Sequence, residues 1–345
     1  MKAALHRTHG GPEVIEVAEV PDPEVGPGDV LVEVRAAGVN RLDVLQREGP
    51  GLVPGFALPH IAGMDVAGVV VEVGADVAGV APGDRVLVNP AIVCGECEVC
   101  RRGEDAYCPN GSVVGASRPG GFAERCAVPA VNVHPIPDHV DFAEAATIPT
   151  IYSTAWRALF PVGDLRLGET IVIHAAGAGV STAAIQLAKR AGATVVATAG
   201  SQEKLDLATE LGADHVLSNR DPKWVDAVRD LTDGIGADIV FDHVGPALFQ
   251  GSLDALRNRG RLVFCGATTG ASATFSLPRA YQRGLRLLGV DSYNQREFAQ
   301  MLDLYWRGGY RPVIDSEHPL EDLGAAQARL ESGAVAGKVL IRPTA

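Results

Sequence analysis

The 345-residue chain lacks an excess of positive charge: 30 Lys and Arg stand against 42 Asp and Glu, a formal net charge of −12. A protein whose main partner is a nucleic acid backbone needs clustered cations, so the composition argues against that role. Apolar residues are not scarce. They make up 47% of the chain, which excludes wholesale disorder. At about 150 residues per domain, the length suggests two domains.

Long hydrophobic runs are also missing. The first ten residues contain no apolar core of the kind that a signal peptide has. The least polar stretch, residues 170–188, is interrupted by one histidine, two glycines and one glutamine, and fits a strand, a turn and a helix better than a membrane span. We therefore expect a cytoplasmic protein without a membrane partner.

The first part of the chain is rich in short β-strand patterns. Valines alternate with other residues over 30–34 after a turn at 27–29, and further strand patterns cover 69–73 and 85–88. Short strands between Gly/Pro turns predict a compact, partly barrel-like β domain over roughly the first 150 residues.

From about residue 167 the pattern changes to alternating strands and helices. The strand patterns cover residues 170–174, 194–198, 215–217, 238–241, 261–265 and 285–290, and the helical patterns between the first five cover 180–191, 202–211, 222–231 and 247–257. This alternation predicts an α/β fold with a doubly wound, six-stranded parallel sheet. A last strand pattern at 337–341 is expected to pack back on the first domain.

A small-residue turn follows the first of these strands and opens a helix. It is formed by Gly177, Ala178, Gly179 and Val180. Small residues let the backbone approach a pyrophosphate, and a helix N-terminus offers free N–H groups to it. Thr182 stands where the third glycine of the dinucleotide-binding motif would be. We interpret the turn as a cofactor site; the alternative is a tightly packed turn that binds nothing.

The next strand ends without a carboxylate. An NAD-binding unit usually presents Asp or Glu there to the ribose 2′-hydroxyl. This chain has Ser201 instead, with Lys204 and Arg220 further on. A hydroxyl with nearby cations suits a 2′-phosphate, so the sequence favours NADP(H) over NAD(H). The alternative is that both cations are ordinary solvated surface charges.

Four of the six cysteines fall in one segment, Cys94-x2-Cys97-x2-Cys100-x7-Cys108. Four thiolates complete a tetrahedral shell around zinc and leave no open position for substrate, so we predict one structural zinc. Disulfides are a poor alternative in a chain without an export signal. An iron–sulfur cluster is a second alternative, but a ferredoxin-type run has three residues before its last cysteine where this chain has seven.

Over essentially its full length the chain resembles the medium-chain dehydrogenase/reductases, the superfamily of zinc alcohol dehydrogenases and quinone oxidoreductases. The resemblance rests on the cysteine segment, the small-residue turn and the stretches 36–40, 63–74, 120–124 and 337–339. It implies a GroES-like catalytic domain over 1–152 and 291–345, with a zinc lobe at 94–108, and a Rossmann domain over 153–290. It also implies a small-molecule carbonyl or quinone substrate in the cleft between the domains, and a homodimer or homotetramer.

The chain departs from the zinc alcohol dehydrogenases at the catalytic metal. The positions that match the three catalytic ligands hold Asn40, Met64 and Thr150, and the proton-relay positions hold Leu42 and Leu45. An amide, a thioether and a hydroxyl do not make a competent zinc shell. The resemblance therefore implies the structural zinc without the catalytic one.

Asn40 followed by Asp43 resembles the quinone oxidoreductase and enoyl reductase branches. These imply NADPH-dependent reduction of a quinone or an α,β-unsaturated carbonyl, in which conjugation disperses the charge. One alternative is an alcohol dehydrogenase or aldehyde reductase with an atypical metal site that includes Asp65 and His60. Another is a non-catalytic NADPH-binding protein.

The resemblance and the predicted topology also suggest roles for single residues. The catalytic candidates are Asn40, which would orient the substrate carbonyl or the nicotinamide ribose, Asp43, which would order the cleft, and Tyr152, a candidate proton donor. The further cofactor candidates are Arg41 and Lys338 at the pyrophosphate, Thr154 behind the nicotinamide ring, and Val244 and Gly266 at strand ends lining the nicotinamide pocket.

Overall fold

The computed structural model describes residues 1–49 and 53–344. The chain divides into two compact units. Unit 1 comprises Met1–Thr150, Tyr293–Gly308 and Pro312–Ala345, and unit 2 comprises Ile151–Ser292 and Gly309–Arg311. Each sequence-based border differs from these by two residues, and residues 309–311 lie in unit 2, where the Tyr310 ring packs edge-on against Tyr152 at 5.7 Å.

Unit 1 is built mainly of antiparallel β structure. Its strands are β1 (Lys2–His6), β2 (Ile15–Glu19), β3 (Asp29–Gly38), β4 (Asp65–Val73), β5 (Arg85–Val88), β6 (Ala91–Ile92), β7 (Ser112–Val113), β8 (Arg125–Pro129), β9 (Val133–Pro135), β16 (Ile314–Pro319) and β17 (Lys338–Arg342). Its helices are α1 (Arg41–Glu48), α2 (Glu98–Arg101), α3 (Phe142–Thr147), α10 (Gln295–Trp306) and α11 (Leu323–Glu331).

Strand β3 is the centre of the main sheet of unit 1, whose order is β16-β17-β3-β4-β5-β9 with β8 also paired to β3. Val30, Val32 and Val34 of β3 are fully buried, because β-branched side chains pack well on a pleated surface that faces a core. Strand β17 pairs antiparallel with the end of β3, which confirms that the C-terminal strand packs on the first domain.

Unit 2 is a parallel α/β sandwich. Its strands are β10 (Thr170–Ile173), β11 (Thr194–Ala199), β12 (His215–Ser218), β13 (Ala237–Asp242), β14 (Leu256–Phe264) and β15 (Arg286–Gly289). Its helices are α5 (Gly179–Arg190), α6 (Gln202–Glu210), α7 (Trp224–Asp230), α8 (Pro246–Ala255) and α9 (Leu277–Gln282), and α4 (Pro149–Arg157) connects it with unit 1.

The sheet of unit 2 has the order β12-β11-β10-β13-β14-β15, and every neighbouring pair is parallel. This confirms the predicted six-stranded, doubly wound arrangement. Helices cover both faces, so its strands are apolar on both sides. Strand β14 begins at Leu256, five residues before the sequence pattern placed it, because Leu256 already pairs with Ala237 ahead of a register shift. None of the helices in the described part of the chain has the length and hydrophobicity that crossing a bilayer requires.

Candidate functional site

A buried polar network lies where β17 meets β3 and β4. The Asp65 Oδ2 atom accepts hydrogen bonds from Lys338 Nζ at 2.6 Å and Asn40 Nδ2 at 3.0 Å. Its Oδ1 atom accepts from the backbone N–H of Thr150 at 2.8 Å and from the Thr150 hydroxyl at 2.6 Å. Both oxygens of this fully buried carboxylate are thus satisfied, which is the condition for a buried charge to be tolerated.

Gly38 makes room for this network at the end of β3. A β-carbon added there would lie 2.8 Å from Cε of Lys338 and 3.0 Å from Cβ of Asp65. A side chain at this position would therefore displace the lysine. The sequence Gly38-Val39-Asn40 thus lets the lysine stem pass over the strand and brings its ammonium to the Asn40 side chain.

The Asn40 amide has a fixed orientation. Its Oδ1 atom accepts from Lys338 Nζ at 2.8 Å, and an ammonium can only donate. Its Nδ2 atom donates to Asp65 Oδ2 and, at 3.3 Å, to the Gly38 carbonyl. Both amide hydrogens are therefore used, and one lone pair on Oδ1 remains. This geometry lets Asn40 accept from a hydroxyl, such as that of a ribose, but gives it no N–H for a substrate carbonyl.

The Lys338 ammonium, like the Asn40 amide, has partners for all of its hydrogens. Besides Asp65 and Asn40, it donates to the Val39 carbonyl at 3.1 Å, so its three hydrogens have three partners within unit 1. The contact with the cofactor pyrophosphate that the resemblance implied stays a prediction, and this geometry lends it no support.

Asp43 is a second fully buried carboxylate, in the first turn of α1. Its Oδ2 atom accepts from the Asn40 N–H at 2.7 Å and its Oδ1 atom from the Gly63 N–H at 3.2 Å. Burial raises the pKa of Asp43 to about 7, and the two backbone hydrogen bonds and the Lys338 charge oppose that rise. Asp43 ties the loop at Asn40 to the loop at Gly63, an arrangement that suits the ordering role predicted for it.

The four cysteines of the predicted zinc lobe lie together. The sulfur atoms of Cys94, Cys97, Cys100 and Cys108 are all within 4.8 Å of one another, and three pairs are separated by 3.5 to 3.9 Å. A tetrahedral zinc with bonds of about 2.3 Å requires sulfur atoms about 3.8 Å apart. The cluster therefore fits the structural zinc predicted from the cysteine spacing, and its thiols are free of disulfides.

The small-residue turn of unit 2 has the predicted position between β10 and α5. Gly177, Ala178 and Gly179 lead into the helix, and Val180 is in its first turn. A β-carbon at Gly177 would lie 2.7 Å from Cδ of Lys204, so the lysine stem crosses directly over the turn. A bare backbone, a helix N-terminus and an adjacent cation are the features that a dinucleotide phosphate requires. The residues therefore fit a pyrophosphate.

The end of β11 carries the residues predicted to select the cofactor. Ser201 is the exposed residue that precedes α6. The Arg220 Nε atom lies 3.1 Å from the place that a β-carbon would take on Gly200, so its guanidinium lies beside Gly200, the residue before Ser201. Lys204 lies against the neighbouring turn, at Gly177.

The predicted nicotinamide-side residues occupy strand ends in unit 2. The Asp242 carboxylate ends β13 and accepts from the N–H groups of Val244 at 2.7 Å and Gly245 at 3.0 Å, which fixes the backbone that Val244 belongs to. Gly266 follows the carboxyl end of β14. These are the strand ends at which doubly wound sheets bind ligands.

The three remaining candidates lie in α4 and at the start of α1. Tyr152 is buried, and its hydroxyl oxygen accepts from Gln186 Nε2 at 3.2 Å. Thr154 is half-buried in α4. Arg41 begins α1, and its Nε atom is buried with no hydrogen-bond partner among the described residues, which suits the ligand contact predicted for it.

A second buried polar network beneath the cofactor turn was missed by the sequence reasoning. The His174 ring contacts the Thr198 hydroxyl at 2.8 Å and the Ser252 hydroxyl at 3.0 Å, and Ser252 donates to Asp242 at 3.2 Å. Burial lowers the pKa of His174 to about 4, so the ring is neutral. A histidine ending an apolar strand was the available signal, but its partners come from two other elements.

Comparison with known proteins gives consistent matches. Residues 179–307 match the family described as zinc-binding dehydrogenase, and residues 26–138 match the alcohol dehydrogenase GroES-like domain. An NAD-dependent alcohol dehydrogenase of Sulfolobus acidocaldarius is 33% identical, with 100% of both chains covered. An acryloyl-coenzyme A reductase of Metallosphaera sedula is 31% identical, with 99% of both covered. A crystal structure of an NAD-dependent alcohol dehydrogenase is 42% identical, with a TM-score of 0.96 and 100% of both chains covered.

Proposed function

The chain belongs to the zinc-binding dehydrogenases with a GroES-like domain, the medium-chain NAD(P)H-dependent oxidoreductases, and within this family we propose that it reduces α,β-unsaturated carbonyls or quinones with NADPH and without a catalytic metal. The observation that carries the proposal is the Asp65–Lys338 ion pair, with Asn40 and Thr150 bonded to the same carboxylate.

The donor set at this place does not suit zinc. The positions of the three catalytic ligands hold an amide, a thioether and a hydroxyl, at Asn40, Met64 and Thr150. Of the two nearby carboxylates, Asp43 accepts from the backbone N–H groups of Asn40 and Gly63, and Asp65 already accepts four hydrogen bonds, one of them from an ammonium. A zinc ion would have to displace that buried positive charge, so the neighbourhood opposes a second cation.

This donor set favours an acceptor whose developing charge is spread by conjugation. When bound, NADPH supplies a hydride for the β-carbon of such an acceptor. Asn40, held by Lys338 and Asp65, offers Oδ1 as an acceptor to the nicotinamide ribose. Tyr152 is our candidate for protonating the product, since the hydrogen bond from Gln186 stabilises the phenolate that proton transfer leaves.

Further residues of the chain would bind and orient the cofactor. Arg41 and the turn at 177–180 would hold the pyrophosphate, and Thr154, Val244 and Gly266 would line the nicotinamide. The absence of a carboxylate at the end of β11, together with Ser201 and Arg220 beside it, supports NADP(H) over NAD(H). We also propose a homodimer or homotetramer, as the resemblance implies.

The test is NADPH oxidation by purified enzyme with an enone, acryloyl-coenzyme A, a benzoquinone and a simple aldehyde, before and after dialysis against a chelator. We expect turnover of one or more of the conjugated acceptors, unchanged by dialysis that leaves the structural zinc in place. Turnover confined to the aldehyde would contradict the proposal.

A second candidate is alcohol oxidation, because the 42% identical structure and the Sulfolobus relative are both named NAD-dependent alcohol dehydrogenases. The same assay separates the two. Alcohol oxidation with NAD⁺ that is lost on chelation and restored by zinc would support this second candidate.

A further inference from the structure

A cavity of about 550 Å³ lies in unit 2, away from the cofactor turn. It is lined by Arg229, Gly234, Ile235, Arg257, Asn258 and Arg283. Arg257 is the second residue of β14, and Gly234 lies three residues before β13 begins. The cavity is therefore at the amino ends of the parallel strands, whereas the cofactor turn follows the carboxyl end of β10. These two edges are opposite one another in a parallel sheet.

Two of the three arginines carry a charge that no carboxylate balances directly. Arg229 donates to the carbonyls of Gly234 at 3.2 Å and Asp254 at 2.6 Å. Arg283 donates to the carbonyls of Leu253, at 2.9 Å, and Leu256. Within residues 1–49 and 53–344, no carboxylate oxygen lies within 4.0 Å of either guanidinium. Arg257, in contrast, is paired with Asp238.

The carbonyl contacts fix these guanidiniums in place without using them up. Three of the four carbonyls, those of Leu253, Asp254 and Leu256, come from the C-terminal end of α8, where cations are favoured by the helix dipole. Arg229 and Arg283 each use two of their five N–H donors in this way, so three remain on each. Burial and the neighbouring Arg229 and Arg279 charges lower the pKa of Arg283, and the Asp254 charge opposes this, so Arg229 and Arg283 repel each other.

We propose that this cavity binds a small phosphorylated ligand, with the phosphoryl group between the guanidiniums of Arg229 and Arg283 and the remainder of the ligand against Ile235. An anion there would relieve the repulsion between the two guanidiniums. It would also accept hydrogen bonds from their unused N–H groups, whose fork geometry matches phosphate. Ile235 adds an apolar surface, since this residue is 64% exposed. The net charge of −12 repels an anion at long range, so affinity must come from these local cations.

The test is isothermal titration calorimetry, in which inorganic pyrophosphate is titrated into protein saturated with its nicotinamide nucleotide. The bound nucleotide keeps pyrophosphate out of the cofactor site. We expect one pyrophosphate per chain. Arg229→Gln and Arg283→Gln should each weaken binding about tenfold, as loss of a charged hydrogen-bond donor does. Arg166→Gln is the matched control, because Arg166 is an exposed arginine of the same unit paired with Asp164. It should leave the affinity within about twofold.

The arginine variants also lose the carbonyl contacts that hold this part of unit 2 together, so a second pair of variants keeps those contacts intact. Ile235→Glu places a negative charge on the cavity wall and should weaken pyrophosphate binding about tenfold, whereas the neutral Ile235→Gln should stay close to the wild type. The proposal is overturned if the wild type takes up no pyrophosphate, or if binding is insensitive to both Arg283→Gln and Ile235→Glu.

Discussion

The Asp65 carboxylate and the Lys338 ammonium are 2.6 Å apart, although 273 residues separate them in the sequence. Both are buried, with 0% and 3% of their side chains exposed. Strand β17 brings the lysine beside β3, and Gly38 leaves space for its stem. The pair orients the Asn40 amide and places a fixed cation on the same carboxylate as Asn40 and Thr150, two positions that the resemblance matches to catalytic ligands.

Removing the charge of Lys338 should lower the stability of the protein. Lys338→Met leaves Asp65 buried without its cation, and we expect the free energy of unfolding to fall by about 3–5 kcal/mol. The double variant Asp65→Asn/Lys338→Met should recover part of that loss. Denaturant unfolding measures both. The control is Lys189→Met, which breaks an exposed pair with Asp214 and should cost less than about 1 kcal/mol. Equal losses for the two lysine variants would contradict this account.

The raised pKa of Asp43 should make the stability of the protein depend on pH. Its pKa is about 7 in the folded chain against a model value of 3.8. Between these values the folded state keeps a proton that the unfolded chain has released. The contribution of Asp43 to the free energy of unfolding therefore falls as pH rises from about 4 to about 7, by up to about 4 kcal/mol, and is constant above pH 7.

The variant Asp43→Asn isolates this effect. The wild type should lose stability relative to the variant as pH rises through that range, whatever constant cost the amide adds. His6 has its pKa lowered by burial to about 4 and contributes the opposite slope, but it is present in both proteins and cancels in the difference. A difference in unfolding free energy that does not vary between pH 4 and pH 7 would show that Asp43 is ionised throughout.

Loss of the structural zinc should loosen more than its own loop. The Ala106 N–H donates to Asn294 Oδ1 at 2.8 Å, and the Gln295 N–H donates to Asp105 at 3.2 Å, so the lobe is hydrogen-bonded to the start of α10. In Cys97→Ser we expect zinc content to fall and amide exchange to rise both in residues 94–108 and in the first turn of α10. Cys126→Ser, at a buried cysteine outside the lobe, should keep its zinc. Unchanged exchange in α10 after zinc loss would disprove the coupling.

Cofactor choice should depend on Arg220. Arg220→Ala removes the cation beside Gly200, and we expect the ratio of kcat/KM for NADPH to that for NADH to drop about tenfold, mainly through KM. Lys223→Ala is the control, because Lys223 is also an exposed cation but does not lie against Gly200. A ratio equally affected by both variants would mean that general charge, and not this position, selects the cofactor.

The sequence predicted those parts of the structure that depend on local pattern. Alternating strands and helices predicted the parallel sheet of unit 2, and the cysteine spacing predicted a cluster formed by one short loop. The start of β14 was predicted too late, because the polar residues Arg257, Asn258 and Arg259 in the first half of the strand do not fit an apolar strand pattern.

Contacts between segments that are distant along the chain could not be predicted from the sequence. Lys338 was assigned to the cofactor by analogy, and nothing in its neighbourhood along the chain points to Asp65. Asn40 was expected to orient the substrate carbonyl or the nicotinamide ribose. Which of the two its amide can serve depends on three partners, Gly38, Asp65 and Lys338, one of which comes from the last strand. The arginine cavity likewise joins α7, β14 and the residue after α9.

The most direct test of the proposal that no catalytic metal binds beside Asn40 and Asp65 is the zinc content per chain of the active wild-type enzyme, measured by mass spectrometry alongside turnover of a conjugated acceptor. We predict one equivalent, lost in Cys97→Ser. Two equivalents, the second retained in Cys97→Ser and removed together with activity by a chelator, would place a metal beside Asn40, Met64 and Thr150 and contradict the account.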